Sequence, residues 1–172
     1  MRRELLAGCG SNRVKKMYDP AFPQWSGLVT LDHVATHKPD VVADLDSPLP
    51  FPAGTFAEAH AYEVLEHLGR LGDEKSFFFH FAELWRVLEM DGLLFATVPP
   101  WNSIWAFGDP SHRRIINSGS LVFLDQDEYR RQLGHTPMTD YRGIWKGSFR
   151  MVYSDESPEA YRFILQKREG IA

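Results

Sequence analysis

The chain has 172 residues, enough for one core and too few for two ordinary domains, and at 44% hydrophobic it is not a disordered polymer. Its formal net charge of −4 lacks the basic excess of a non-specific nucleic-acid binder, so nucleic acid is not an expected partner. One cysteine, Cys9, excludes an internal disulfide framework and fits a reducing compartment. No apolar run has the length of a membrane span, and the opening Met1-Arg2-Arg3-Glu4 leads straight into a strand, not a signal sequence. The expectation is one cytoplasmic domain over 1–172, with 13% aromatic residues pointing to an aromatic-rich pocket or interface.

In chain order, Glu4 to Ala7 reads as a short buried strand closed by Gly8. Asn12 to Met17 has room for a turn or two of helix before the Pro20 and Pro23 breaks. Leu28 to Leu31 and Val41 to Ala43 are the second and third strands. Pro48, Pro50 and Pro52 enforce an extended segment, and Gly54 turns it into a fourth strand, Phe56 to Ala61. Phe77, Phe78, Phe81, Leu84, Trp85 and Leu88 recur at helical spacing, so a helix with a core-facing aromatic stripe spans Asp73 to Leu88 and ends at Asp91-Gly92. Leu93 to Val98 is a fifth strand stopped by Pro99-Pro100. Trp101 to Gly119 reads as a long functional loop. Asp125 to Glu128 has capping-box spacing for a helix through Gln132, and Trp145–Tyr153 with Tyr161–Lys167 make a closing antiparallel hairpin. The fold class is α/β, a Rossmann-like three-layer sandwich with a mostly parallel sheet.

Gly8-Cys9-Gly10 after the first strand lets the backbone turn sharply and leaves main-chain N–H groups open to a ligand. Asp32, ending the second strand, is placed to accept hydrogen bonds from a ribose diol. Together they describe a nucleoside-containing cofactor lying across the first two strands. Cys9 itself reads as small buried filler.

The ordered set Leu6-Ala7-Gly8-Cys9-Gly10, Leu31-Asp32, Asp44-Leu45 before Leu49–Phe56, Val64–Leu68 and Glu83–Leu94 resembles a class I (Rossmann-like) S-adenosylmethionine-dependent methyltransferase, of the small type-11-like kind. The resemblance implies S-adenosyl-L-methionine as cofactor and a methyl acceptor it leaves unidentified. It implies that Ala7, Gly8, Cys9 and Gly10 hold the methionine part, and that Asp32 with His33 holds the ribose. Asp44 (or Asp46, two residues on) would reach the adenine amino group, Leu45 would offer an N–H to the ring, and Tyr62 would lie near the methyl group. Tyr62 and Glu63, just after the fourth strand, and His112 in the segment Asp109–Arg113 are the candidate catalytic residues, His112 as a base. The chain departs from the pattern in having Ser11-Asn12-Arg13 where a third glycine is usual, almost no first crossover helix, and no N-terminal helices over the pocket; a homodimer could cover it instead.

Glu66 and His67 read as packing and capping the following helix. No metal site is expected, because neither His33 with His37 nor Glu63 with His67 carries a third ligand at a persuasive spacing. A nicotinamide-dependent oxidoreductase would want glycine at position 13 and gives Asp44 no role. A catalytically degenerate cofactor- or partner-binding module is the other alternative.

Overall fold

The computed structural model describes residues 2–172. Seven strands form one sheet: β1 (Glu4–Ala7), β2 (Leu28–Asp32), β3 (Val41–Val42), β4 (Phe56–Tyr62), β5 (Leu88–Val98), β6 (Ser148–Glu156) and β7 (Tyr161–Arg168). Their spatial order is β3-β2-β1-β4-β5-β7-β6. The pairs from β3 to β5 are parallel, and β7 enters antiparallel to both β5 and β6, confirming the closing hairpin. The direction of the order reverses between β1 and β4, the place where ligands collect in open α/β sheets.

One crossover is a full helix, α1 (Glu74–Val87), capped by Asp73, whose side chain accepts from the Ser76 N–H at 3.0 Å. Its Phe77, Phe78, Phe81, Leu84 and Val87 are buried against Leu5, Ala59, Ala61, Leu94 and Phe163 in the main core. Trp85 sits at the edge of that stripe, with its indole N–H shared between the Ser148 and Arg168 carbonyls at 3.1 Å each. Arg86 clamps the proline segment onto α1 through the Leu49 and Phe51 carbonyls, while Glu83 accepts from the Leu49 N–H at 2.7 Å.

Several boundaries differ from the sequence expectation. Residues 11–27 contain no helix; they run as an extended loop across the opposite face of the sheet. α1 ends at Val87 and passes straight into β5, so Asp91 (φ 62°) and Gly92 form an irregularity within the strand and do not end the helix. The stretch after Pro100 is not all loop: it holds the short helix α2 (Ile104–Gly108) and the start of α3 (Ser118–Leu121). Helix α4 (Gln126–Gln132) forms, but Asp125 caps the Asp127 N–H, and Glu128 turns to Arg131 and Gln132, so no capping box closes. Trp145 precedes β6 as a buried anchor, its indole N–H on the Leu124 carbonyl at 3.0 Å. Among the described residues no helix is long and apolar enough to cross a membrane.

Candidate functional site

The Gly8–Gly10 turn leaves β1 with φ of 61° and 50° at its two glycines, a region that penalises any Cβ. The two have different jobs. A Cβ at Gly8 would sit 2.3 Å from Val64 Cγ2, so Gly8 is a packing glycine; a Cβ at Gly10 would meet nothing within 4 Å, so Gly10 faces open space. Arg13, at the position of the missing third glycine, donates to the Gly10 carbonyl and, at 2.8 Å, to the His37 carbonyl. It ties the turn to the short 3-10 helix Ala35–His37 after β2.

A cavity of about 650 Å³ opens at the carboxyl ends of β1, β2 and β4, and Gly8, Asp32, His33, Asp44, Leu45 and Glu63 border it. Asp32 is buried and accepts from the N–H groups of Gly10 and Val34, each at 2.8 Å. Burial pushes its pKa up, but these two N–H groups and His37 outweigh burial and hold it below the usual carboxylate range. The carboxylate is therefore ionised at neutral pH. Asp44 and Asp46 separate clearly. Asp46 is engaged by His80 Nε2 at 2.7 Å, the Gly69 N–H at 3.2 Å and Arg113 at 3.7 Å. Asp44 accepts from the Asp46 N–H at 2.9 Å, which leaves acceptor capacity for a ligand.

Other expected residues stand away from the cavity. Ala7 is fully buried in the core beneath it. Cys9 is buried with its thiol on the Gly10 carbonyl, and burial, the largest effect, raises its pKa, as fits filler. Gly10 reaches the ligand side through its backbone and its bond to Asp32. Tyr62 is the clear correction. Its side chain turns to the opposite face of the sheet, packing with Leu6, Cys9 and Phe95. There its hydroxyl accepts from the Met17 N–H at 3.1 Å and lies 2.7 Å from His60 Nδ1, with burial raising its pKa. The alternation Glu58-His60-Tyr62 against Ala57-Ala59-Ala61 carried that signal, since polar residues two apart share one face of a strand.

Glu63 remains at the crevice with φ 55°, a strained conformation for a residue with a Cβ. His112 does not border the cavity; its Nδ1 donates to the Trp105 carbonyl at 2.7 Å. His67 and Ser111 do border it, and His67 Nδ1 lies 3.0 Å from Ser111 Oγ. Glu66 and His67 form a 3-10 turn, Leu65–His67, well ahead of the Asp73 cap, so neither caps α1.

No protein-family model and no curated protein matches the chain. Solved structures do match across nearly its full length. A SAM-dependent methyltransferase from Methanosarcina mazei aligns with TM-score 0.61 at 16% identity, covering 98% of this chain and 93% of that one. One from Archaeoglobus fulgidus aligns with TM-score 0.59 at 15% identity, covering 96% and 86%. The Burkholderia thailandensis 1,6-didemethyltoxoflavin-N1-methyltransferase, solved with S-adenosylhomocysteine, aligns with TM-score 0.57 at 17% identity, covering 98% and 72%. Identities this low carry the fold alone, and the fold is that of the class I, Rossmann-like, S-adenosylmethionine-dependent methyltransferases.

Proposed function

We propose that the chain is an S-adenosylmethionine-dependent methyltransferase whose cofactor occupies the cavity at the ends of β1, β2 and β4. The observation that carries this is the convergence, around one cavity, of an open glycine turn and two carboxylates on adjacent strand ends. Asp32, kept ionised, accepts hydrogen bonds from the ribose hydroxyls. Asp44 accepts from the adenine amino group, and the Leu45 N–H donates to the ring. The open backbone at Gly10 admits the zwitterionic tail. When bound, the cofactor supplies an electrophilic methyl on a sulfonium.

The chain's own task is then to orient the acceptor in line and to exclude water. Glu63 and His67 border the same cavity, which supports a role for them beside the acceptor.

Calorimetry with S-adenosylhomocysteine tests the reading. Wild type should bind, and Asp32→Ala should bind more weakly by about 1–3 kcal/mol while remaining folded, since ribose hydroxyls would lose their acceptor. Unchanged affinity in a folded variant would remove Asp32 from the site. NAD binding in place of S-adenosylhomocysteine would overturn the assignment.

A further inference from the structure

Glu66 is 2% exposed, yet neither of its carboxylate oxygens has a hydrogen-bond partner among the described residues. A buried carboxylate without a partner is costly, so such a group is neutralised by a proton, paired, or bound to a metal. The Glu63 carboxyl lies close to that of Glu66. Asp109 adds further negative charge nearby. The neighbouring arginines are engaged elsewhere: Arg114 on Ser76 Oγ and the Asp73 carbonyl, Arg113 against Asp46.

Two imidazoles converge on this carboxylate. One ligand atom each from Glu66, His67 and His112 lies within 4.8 Å of the other two. The loop after α2 brings His112 there because the N–H groups of Arg113 and Arg114 both donate to the Glu66 carbonyl, at 2.8 and 3.1 Å. His112 donates Nδ1–H to the Trp105 carbonyl, and His67 Nδ1 faces the Ser111 carbonyl and hydroxyl at 3.3 and 3.0 Å. Those bonds leave the lone pair of each ring on Nε2, the arrangement in which imidazoles bind metals with a carbonyl behind them.

We propose that Glu66, His67 and His112 form a binding site for a divalent transition-metal ion beside the large cavity, which His67 alone of the three borders. Two imidazoles and one carboxylate suit zinc and its first-row neighbours and leave a position open for an oxygen or sulfur ligand. In this arrangement His112 is a ligand in place of a base. The third ligand escaped the sequence because 45 residues separate His67 from His112, and only the docking of the post-α2 loop unites them.

The test is titration of the full chain, stripped with chelator, with Zn²⁺ by competition calorimetry and with Co²⁺ by visible absorption. One ion per chain is expected, with Glu66→Gln and His112→Ala each weakening binding by about 10- to 100-fold or more. The exposed His135→Ala is expected to leave binding unchanged. In wild type, stoichiometric Zn²⁺ should shift the nitrogen resonances of two of the seven histidines, His67 and His112; this readout needs no variant to fold. Absence of a bound ion, binding unaffected by Glu66→Gln and His112→Ala in folded proteins, or shifts at His33 and His37 instead would each overturn the proposal. Affinity for S-adenosylhomocysteine, measured separately, reports on the cofactor cavity and leaves this result independent of it.

Discussion

On the α1 side of the sheet, Phe77, Phe78, Phe81, Leu84 and Val87 bury an aromatic stripe against alanines, leucines and Phe163. On the other side an extended loop takes the place of a helix, and it is pinned by charge. Glu4 and Glu58, both fully buried, are bridged by Lys15, whose Nζ lies 3.1 and 2.9 Å from their carboxylates. Arg2 also reaches Glu58, His60 Nε2 donates to it at 3.0 Å, and Trp25 meets the His60 ring edge-on with centroids 4.8 Å apart. Apolar packing there, among the described residues, is the small cluster of Leu6, Cys9, Tyr62 and Phe95 with Met17, Trp25 and their neighbours. A helix can cover a sheet with area alone. A loop offers too little apolar surface, so paired charges and satisfied backbone groups hold it down.

Breaking the two faces should therefore look different. Phe81→Ala on the helical face should cost about 3–5 kcal/mol of unfolding free energy by denaturant titration, through lost transfer energy and a cavity. Lys15→Met on the loop face should cost about 3 kcal/mol, because it removes the buried ammonium that two buried carboxylates share, leaving them only Arg2, His60 and a backbone N–H. Adding Glu58→Gln to Lys15→Met should recover part of that loss; a strictly additive pair would mean that the two residues act independently.

Acid should single out the loop face. Burial alone would raise the Glu58 pKa, but hydrogen bonds from His60, Lys15 and Arg2 bring it down to about 2 from 4.5. Its contribution, about 3 kcal/mol from that shift, is therefore full above pH 4.5 and fades as pH falls toward 2. His60, held below 6.5 chiefly by burial, adds a loss that begins as pH drops through 6.5, where only the unfolded chain takes up the proton. Glu58→Gln should flatten the lower part of the profile and deepen the upper part, because the Glu58 carboxylate is what holds the His60 pKa up against burial.

The glycine pair sharpens the contrast at the strand ends. Gly8→Ala should destabilise by about 2–3 kcal/mol, from the clash with Val64 and the left-handed backbone. Gly10→Ala should cost only about 1 kcal/mol of stability, with its larger effect on ligand affinity.

The apolar face and the strand ends were legible in the sequence, while the charged face was not. The i, i+3, i+4 spacing of Phe77, Phe78, Phe81 and Leu84 defines α1, and apolar runs ending in Gly8, Asp32 and Asp44 mark β1 to β3 and three of the cavity's borders. Both readings need only local periodicity. Lys15 gave no such signal, because its partners lie 11 and 43 residues away, and a short basic stretch reads equally as helix or solvated loop. Tyr62 was misplaced for a related reason: its position at the end of β4 was right, but the parity of the strand sends its side chain away from the cavity.

The most direct measurement is a crystal structure of the full chain soaked with S-adenosylhomocysteine. Density in the cavity with the ribose hydroxyls on Asp32, the adenine amino group on Asp44 and the amino-acid tail against Gly10 is the predicted result. Density lodged elsewhere, or a ligand in that cavity touching neither carboxylate, would contradict the account.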